Sequence, residues 1–205
     1  MADCNSGAVD RAADLHAIVR IGDAIRGVVD TARAVNLAAL NAMLSSRRGG
    51  GNIVGFRVAT SELRGVSTRL MDDMEDLTVL VSGMVNEVAL RQRKRRNQAY
   101  FGRVQDGQAR ITDLLADIAG KQGGEVERLS HQLRQRRREL GLKTIRALRL
   151  CDQGQALSRS ALIEAAYGGE SAPVLKQVAE QLALSIRSVA DTLDDVRGEL
   201  EKEAS

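Results

Sequence analysis

Few residues in this chain have the types and spacing that chemistry at a protein site needs. Cys4 and Cys151 lie far apart in a sequence of 205 residues, and His16 and His131 are isolated histidines without ligand spacing. A zinc site or an activated nucleophile needs such side chains in matched groups. The glycine run at 49–51 is not followed by the lysine and hydroxyl residue of a phosphate-binding loop. We therefore expect no enzyme activity, no metal site and no cofactor.

The basic middle of the chain is a second candidate site, where a polyanion could bind. Residues 91–149 contain 16 Lys and Arg against 6 Asp and Glu, whereas the rest of the chain contains 14 against 21. The cations are densest in a run that comprises Arg91, Arg93, Lys94, Arg95 and Arg96. This run, followed by Tyr100 and Phe101, could bind nucleic acid or an anionic membrane surface. Charge runs are more often solvated faces, and no nucleic-acid-binding motif accompanies this one.

The composition is that of long helices rather than of a compact enzyme. Aromatic residues make up 2% of the chain, and Pro173 is its single proline. Many alanine, leucine and charged residues with few aromatics are typical of helices packed through small and aliphatic side chains. The N-terminal segment lacks the apolar core of a signal peptide, and no window approaches the about 20 apolar residues of a membrane span. We expect a soluble, cytoplasmic chain with reduced cysteines.

Apolar residues recur at alternating steps of three and four, which is the heptad pattern of coiled-coil packing. One seam precedes the glycine run and comprises Ile18, Ile21, Ile25, Val28, Ala32, Val35, Ala39 and Ala42. A second seam follows it and comprises Phe56, Ala59, Leu63, Val66, Leu70, Met74, Leu77, Val81, Met84 and Val88. Further seams within 125–167 and 173–203 predict two more long helices. A short helix is predicted over 109–119, with its end at the glycines of 120–124.

Two glycine-rich reversals, at 47–52 and 168–173, divide the long helices into two hairpins. With an offset of 119 residues the hairpins superpose without a gap, so that Gly50 falls on Gly169 and Leu63 on Leu182. This offset predicts an internal repeat. Hairpin one spans about 8–96 and hairpin two about 125–203, with a connector at about 97–124.

The segment 36–64 resembles the signalling tip of methyl-accepting chemotaxis receptors. Matching residues run through both helix arms and the turn without a gap: Asn36, Leu40, Asn41, Ala42, Arg48, Gly50, Gly55, Phe56, Val58, Glu62 and Arg64. Leu37, Leu44, Leu63 and Val66 are aliphatic where the family is aliphatic. The second hairpin resembles the same tip through a complementary set, which comprises Glu164, Ala165, Ala166, Gly169 and Glu170. Each copy keeps part of the motif that the other lacks.

The resemblance implies a fold and a set of partners. The fold is all-α, a long antiparallel four-helix coiled-coil bundle made of two helical hairpins with a short connecting helix. One elongated domain over 1–205 would build within a single, monomeric chain what the receptors build from two. The implied partners are a chemosensory histidine kinase, its coupling protein or the receptors, bound in the cytoplasm beside membrane-bound arrays. The implied partner-binding residues are Leu37, Leu40, Asn41, Leu44, Arg48, Phe56, Val58, Glu62, Arg64, Glu164 and Glu170.

Several positions depart from the family pattern. A family aromatic falls on Arg33, the tip glutamate falls on Ser45 in the first copy, and a family arginine falls on Tyr167 in the second. The sequence shows no paired-glutamate methylation segment and no sensory domain. These departures favour an altered or regulatory role. Two roles stay open for Phe56, a core position or an exposed docking residue, and any one aliphatic candidate also fits the seam. Arg48, Glu62 and Arg64 fit an ion-pair network across the hairpin or onto a partner.

Overall fold

The computed structural model describes the backbone of residues 3–48, 54–103 and 109–202, and the side chains of 15–44, 46, 54–97, 120–169 and 171–202. The described helices are α1 (Asp3–Arg48), α2 (Val54–Arg103), α3 (Ala109–Ala165) and α4 (Ala172–Lys202), with a short 3-10 helix at Gly169–Ser171. The described part of the chain contains no strand, so the prediction of an all-α helical fold is confirmed.

The helix boundaries differ from the prediction in the middle of the chain. α3 runs without a break through the glycines of 120–124, so the predicted helix end there is wrong. Each glycine costs about 1 kcal/mol relative to alanine in a helix, but it does not forbid the conformation. Contacts directly after the glycines offset this cost, because Val126 is buried and Glu125 pairs with Lys94 of α2. Residues 109–119 therefore belong to α3 and do not form a separate connecting helix.

The long helices bury their apolar seams, as the heptad pattern predicts. All predicted seam residues of α1, from Ile18 to Ala42, and all those of α2, from Phe56 to Val88, are buried. In α4 the seam from Leu175 to Leu200 is buried, with Val178 half-buried. Complete burial of one such aliphatic side chain contributes about 1.5–3 kcal/mol to folding. Burial of the seams is therefore the main contribution to folding stability that can be recognised from the sequence.

The chain divides into two compact units, each built from parts of several helices. Unit 1 comprises Met1–Ile21 and Val79–Leu140, and unit 2 comprises Gly22–Thr78 and Gly141–Ser205. In unit 2 all four helices contribute to one core cluster, which consists of Ala42, Phe56, Ala59, Ala161, Ala165, Leu175 and Ala179. Every residue that the receptor resemblance selects belongs to unit 2.

Two ion pairs join α2 to α3 within unit 2. The Nζ of Lys143 donates to the Oδ2 of Asp76 at 2.7 Å, and the Nε of Arg146 lies 3.2 Å from the Oδ2 of Asp73. The contacted residue numbers fall along α3 as they rise along α2, so the two helices are antiparallel here. The Lys143 ammonium holds the pKa of Asp76 below its usual value, through the hydrogen bond and through its charge.

The burial pattern of unit 2 repeats with the same offset of 119 residues as the sequence. Buried positions of α1 recur as buried positions of α3, in the pairs 25/144, 28/147, 32/151, 35/154, 39/158, 42/161 and 46/165. Buried positions of α2 recur in α4, in the pairs 56/175, 60/179, 63/182, 67/186, 70/189, 74/193 and 77/196. An offset of 119 residues is a whole number of heptads, so seams with the same heptad register agree in burial at this offset. The buried positions 22, 59, 66 and 73 fall on half-buried ones, and the internal repeat stays a prediction.

One layer of the repeat is packed in opposite ways by the two hairpins. Hairpin one places Val35 on α1 and Ser67 on α2, whereas hairpin two has Gly154 and Ile186 at the equivalent positions. A Cβ atom on Gly154 would lie 3.2 Å from the Cδ1 of Ile186, which is closer than ordinary van der Waals contact. The larger residue is thus on the first helix of one hairpin and on the second helix of the other. The cavity beside this layer has a volume of about 10 Å³, which is too small for a ligand.

We expect Gly154→Val to lower the free energy of unfolding by about 1–3 kcal/mol, because the added side chain overpacks against Ile186. The double variant Gly154→Val/Ile186→Ser recreates the Val35 and Ser67 combination and should recover most of this loss. Denaturant unfolding followed by circular dichroism measures both variants. Equal instability of the single and double variants would show that the two positions do not share a packing layer.

We expect Asp76→Asn to make stability less sensitive to acid. A carboxylate whose pKa is lowered by folding stabilises the folded state above its unfolded pKa of about 3.9. That contribution is lost as the pH falls through the lower, folded pKa. The measurement is denaturant unfolding at neutral pH and at about pH 2–3. Asp72→Asn is the matched control, since Asp72 is exposed one turn earlier on α2. An acid sensitivity equal to that of the wild type would contradict the pairing with Lys143.

Candidate docking site at the helix turns

Three of the predicted tip residues share the outward face of α1 before the first turn. Leu37, Asn41 and Leu44 are spaced by four and three residues, which places them on one side of the helix. All three are exposed, and the exposed fraction is 60% for Leu37 and 48% for Leu44. Leu40 is half-buried. This face therefore presents two aliphatic side chains, with an amide between them, to solvent.

The first turns of α2 carry the other exposed candidates. Val58 and Glu62 are exposed and lie four residues apart on one helix face, with 57% of Val58 accessible. Val54, which is one turn before Val58, is also exposed. We use the name turn surface for the exposed predicted residues of hairpin one, which are Leu37, Asn41, Leu44, Val58 and Glu62.

Phe56 has the opposite placement. Its side chain is fully buried and belongs to the core cluster of unit 2, together with Ala165 of α3 and Leu175 of α4. Of the two roles that the sequence leaves open, the structure shows core packing. A large aromatic side chain in this position contributes to holding the helices together and does not meet a partner directly.

Arg64 forms a contact within hairpin one. Its Nε donates a hydrogen bond to the Oδ1 of Asn36 at 3.3 Å, and both residues are half-buried. This bond joins α2 to α1. Glu62 is exposed, and the side chain of Arg48 lies outside the described residues, so the ion-pair network of Arg48, Glu62 and Arg64 stays a prediction.

Glu164 of α3 lies beside the first turn of α2. The carboxylate of Glu164, on α3, lies against Gly55 of α2, where a Cβ atom would collide with it. Glycine therefore leaves the room that this close approach needs. α2 has no acidic residue of its own in its first turn, and a carboxylate near a helix N-terminus interacts favourably with the helix dipole. Two residues that match the receptor motif in different copies are thus in direct contact.

The second turn is tight and is closed by backbone hydrogen bonds. The N–H of Tyr167 donates to the carbonyl of Glu164 at 3.1 Å, and the N–H of Gly168 donates to the carbonyl of Ala165 at 3.0 Å. Gly169 has a φ of +55°, in the left-handed region that glycine enters at little cost. The Tyr167 side chain is exposed, while that of Glu170 lies outside the described residues.

The structure also exposes apolar residues near the turns that the sequence analysis does not select. Ile163 on α3 and Val174 on α4 are both more than half exposed, at 63% and 55%. Ile163 falls on Leu44 with the offset of 119 residues, so the repeat is a signal that identifies it. Val174 falls on Gly55 and carries no such signal.

The predicted basic run lies in unit 1, where α2 continues as a helix to Arg103. Lys94 pairs with Glu125 of α3, and its hydrogen bond and charge hold the pKa of Glu125 below the usual value. Arg91 is half-buried, and the exposed members of the run are Arg93, Arg95 and Arg96. The aromatic side chains at 100 and 101 lie outside the described residues.

Metal-ligand groups and the thiol of Cys151 can be assessed among the described side chains. Among their side chains, no group of three or more His, Cys, Asp or Glu residues is placed to hold a metal ion. Cys151 is buried in unit 2, and desolvation raises the pKa of its thiol to about 12. The thiol is therefore protonated and unreactive at neutral pH. Within the described helices, no stretch is both long and apolar enough to cross a membrane.

Comparison of the chain with models of known protein families and with curated proteins returns no match. The resemblance to the receptor tip therefore depends on the residues quoted above and on where they lie in unit 2.

We expect Glu164→Gln to lower the free energy of unfolding by about 0.3–1 kcal/mol at low salt, because it removes the charge beside the first turn of α2. The loss should shrink as salt rises, since salt screens the charge–dipole interaction. Denaturant unfolding at two salt concentrations measures the effect. Glu75→Gln is the control, because Glu75 is an exposed acid in the interior of α2. An equal effect of both substitutions would remove the case for a specific contact at Gly55.

Proposed function

We propose that this chain is a chemoreceptor-like signalling-tip protein that binds components of a chemosensory array through its helix faces. Two observations support the proposal. The receptor motif of 36–64 runs through both arms of hairpin one. The turn surface, which carries part of that motif, is exposed, whereas the seam residues within 36–64 are buried.

The observation that carries the proposal is the exposure of Leu37, Leu44 and Val58. Aliphatic side chains that serve the core are buried in this protein, as Leu63 is. Leu37 and Leu44 share one face of α1, seven residues apart, and Val58 is exposed near the start of α2. An exposed apolar helix face is a place where a partner can dock. If a partner buries the remaining exposed part of one of them, that burial contributes about 1–1.5 kcal/mol to association, because about half of each side chain is already buried.

The mechanism is docking without a chemical step. A partner helix would place apolar side chains on Leu37 and Leu44 and a hydrogen-bonding group at Asn41. Glu62 would favour a basic group on the partner, because complementary charge sets orientation and specificity. The candidate partners are a chemosensory histidine kinase, its coupling protein and the receptors themselves. The protein would act in the cytoplasm beside membrane-bound receptor arrays, as a monomer.

Co-purification with the chemosensory kinase and coupling protein of the same organism tests the proposal. We expect the wild type to retain at least one of them. The variant Leu44→Ser/Val58→Ser should weaken retention by about tenfold or more, since it removes two exposed aliphatic contacts and tenfold corresponds to about 1.4 kcal/mol. Neither position is in the core, so helicity should not change.

The matched control for this experiment is Leu142→Ser/Leu184→Ser. Both of these leucines are exposed in unit 2, at 70% and 60%, and neither belongs to the turn surface. The control should bind like the wild type. The proposal fails if the wild type retains neither protein, or if the control loses as much binding as the turn-surface variant.

A further inference from the structure

Positive charge is concentrated in unit 1. Its described side chains include 12 Lys and Arg and 4 Asp and Glu, whereas those of unit 2 include 13 and 15. Over the full sequence unit 1 contains 15 Lys and Arg against 10 Asp and Glu, and unit 2 contains 15 against 17, so the positive excess lies in unit 1. Charge of one sign that is concentrated on one part of a protein attracts partners of the opposite sign.

Acidic residues of unit 1 engage some of these cations. Lys94 pairs with Glu125, and the Nε of Arg136 lies 2.9 Å from the Oε1 of Glu87. Six arginines of α2 and α3 are exposed on this unit, and we name them the arginine surface: Arg93, Arg95, Arg96, Arg128, Arg134 and Arg138.

The arginine surface contains fewer residues than the basic segment 91–149 that the sequence indicates. Lys143 and Arg146 fall within 91–149, but they belong to unit 2 and form the ion pairs with Asp76 and Asp73. Their charge is already used to join α2 to α3. Unit 2 also exposes arginines, but acids balance them there, whereas the exposed arginines of unit 1 belong to the unit with the positive excess.

The chemistry of the arginine surface fits phosphate groups. A guanidinium group can donate two parallel hydrogen bonds to one phosphate, and it stays charged at any physiological pH. Between Arg128 and Arg138, α3 covers about 15 Å. A nucleic acid duplex presents about one phosphate charge per 1.7 Å along its axis. Arg134 and Arg138 share one face of α3, since they are four residues apart, or about 6 Å along the axis, and can contact neighbouring phosphates.

An anionic membrane is the other common polyanion, but unit 1 is less suited to it. A helix that lies in a membrane surface inserts an exposed apolar face. In unit 1 the apolar seam residues Val88, Val126, Leu129 and Leu133 are buried, and the three large aliphatic side chains exposed among its described residues, Val19, Val79 and Leu90, are outnumbered by the six exposed arginines. We propose that the arginine surface of unit 1 binds the phosphate backbone of double-stranded nucleic acid without reading its sequence. This activity uses no residue of the turn surface and goes beyond the docking function.

Fluorescence anisotropy with a labelled duplex DNA oligonucleotide tests the proposal on the full chain. We expect binding at low salt that weakens steeply as salt rises, because each phosphate contact releases counterions. The variant Arg93→Gln/Arg95→Gln/Arg96→Gln should bind about tenfold more weakly or worse. The slope of log K against log salt should fall by about 0.9 for each contact that is lost. Oligonucleotides of different sequence should behave alike.

The matched control is Arg149→Gln/Arg159→Gln/Arg187→Gln, which removes the same charge from exposed arginines of unit 2. It should bind DNA like the wild type. The proposal is overturned if no binding is seen at low salt, or if both triple variants lose the same affinity. It is also overturned if the protein binds phosphatidylserine–phosphatidylcholine vesicles and not duplex DNA, because the surface would then belong to a membrane. Far-ultraviolet circular dichroism verifies that both variants keep their helices.

Discussion

The packing of Phe56 and Leu175 among five alanines is the interaction on which the turn ends of unit 2 depend. These two side chains occupy equivalent positions of the repeat, one on α2 and one on α4. Alanines on all four helices allow the backbones to approach closely enough for two large side chains to fill the space. The outward faces of α1 and α2 have fixed directions because their inward faces are held in this cluster. Leu37 and Val58 are thus exposed because the opposite faces of their helices are packed in the core.

The sequence predicts the helices and their buried faces well, because heptad spacing records which side of a helix is packed. It fails at 120–124, where the local cost of glycine is smaller than the gain from packing Val126 and pairing Glu125. Local propensity cannot reveal such distant compensation. The contact between Glu164 and Gly55 is unpredictable for the same reason, since it joins residues of different hairpins. For Phe56, the heptad periodicity indicates a buried position, whereas the match to the receptor motif also allows an exposed docking role. Only the structure decides between these two roles.

The two halves of the repeat agree in burial and differ in polar contacts. Asp76 and Lys143 form an ion pair between α2 and α3, but the positions equivalent to them by the offset of 119 residues are Asp195 and Ala24. The acid at Gly55 likewise has no counterpart, because the residue equivalent to Glu164 is Ser45. Both halves must fill the core to pack. An ion pair or a helix cap adds stability where it forms, and it does not have to form in both halves. Two halves in one chain can therefore share a buried pattern and differ in single polar contacts.

The difference between the side chains of the two halves affects how many copies of a partner one molecule can bind. A bundle with two identical halves offers the same surface twice and can bind two copies of a partner. Here the positions equivalent to Leu37, Asn41 and Val58 are occupied by Ala156, Ser160 and Gln177. Leu44 falls on Ile163, which is also exposed, so the second set keeps one apolar contact and offers smaller or polar side chains at these three positions. Under the proposed docking function, such a partner binds hairpin one more tightly than hairpin two, so that one molecule holds one copy of it at limiting concentrations.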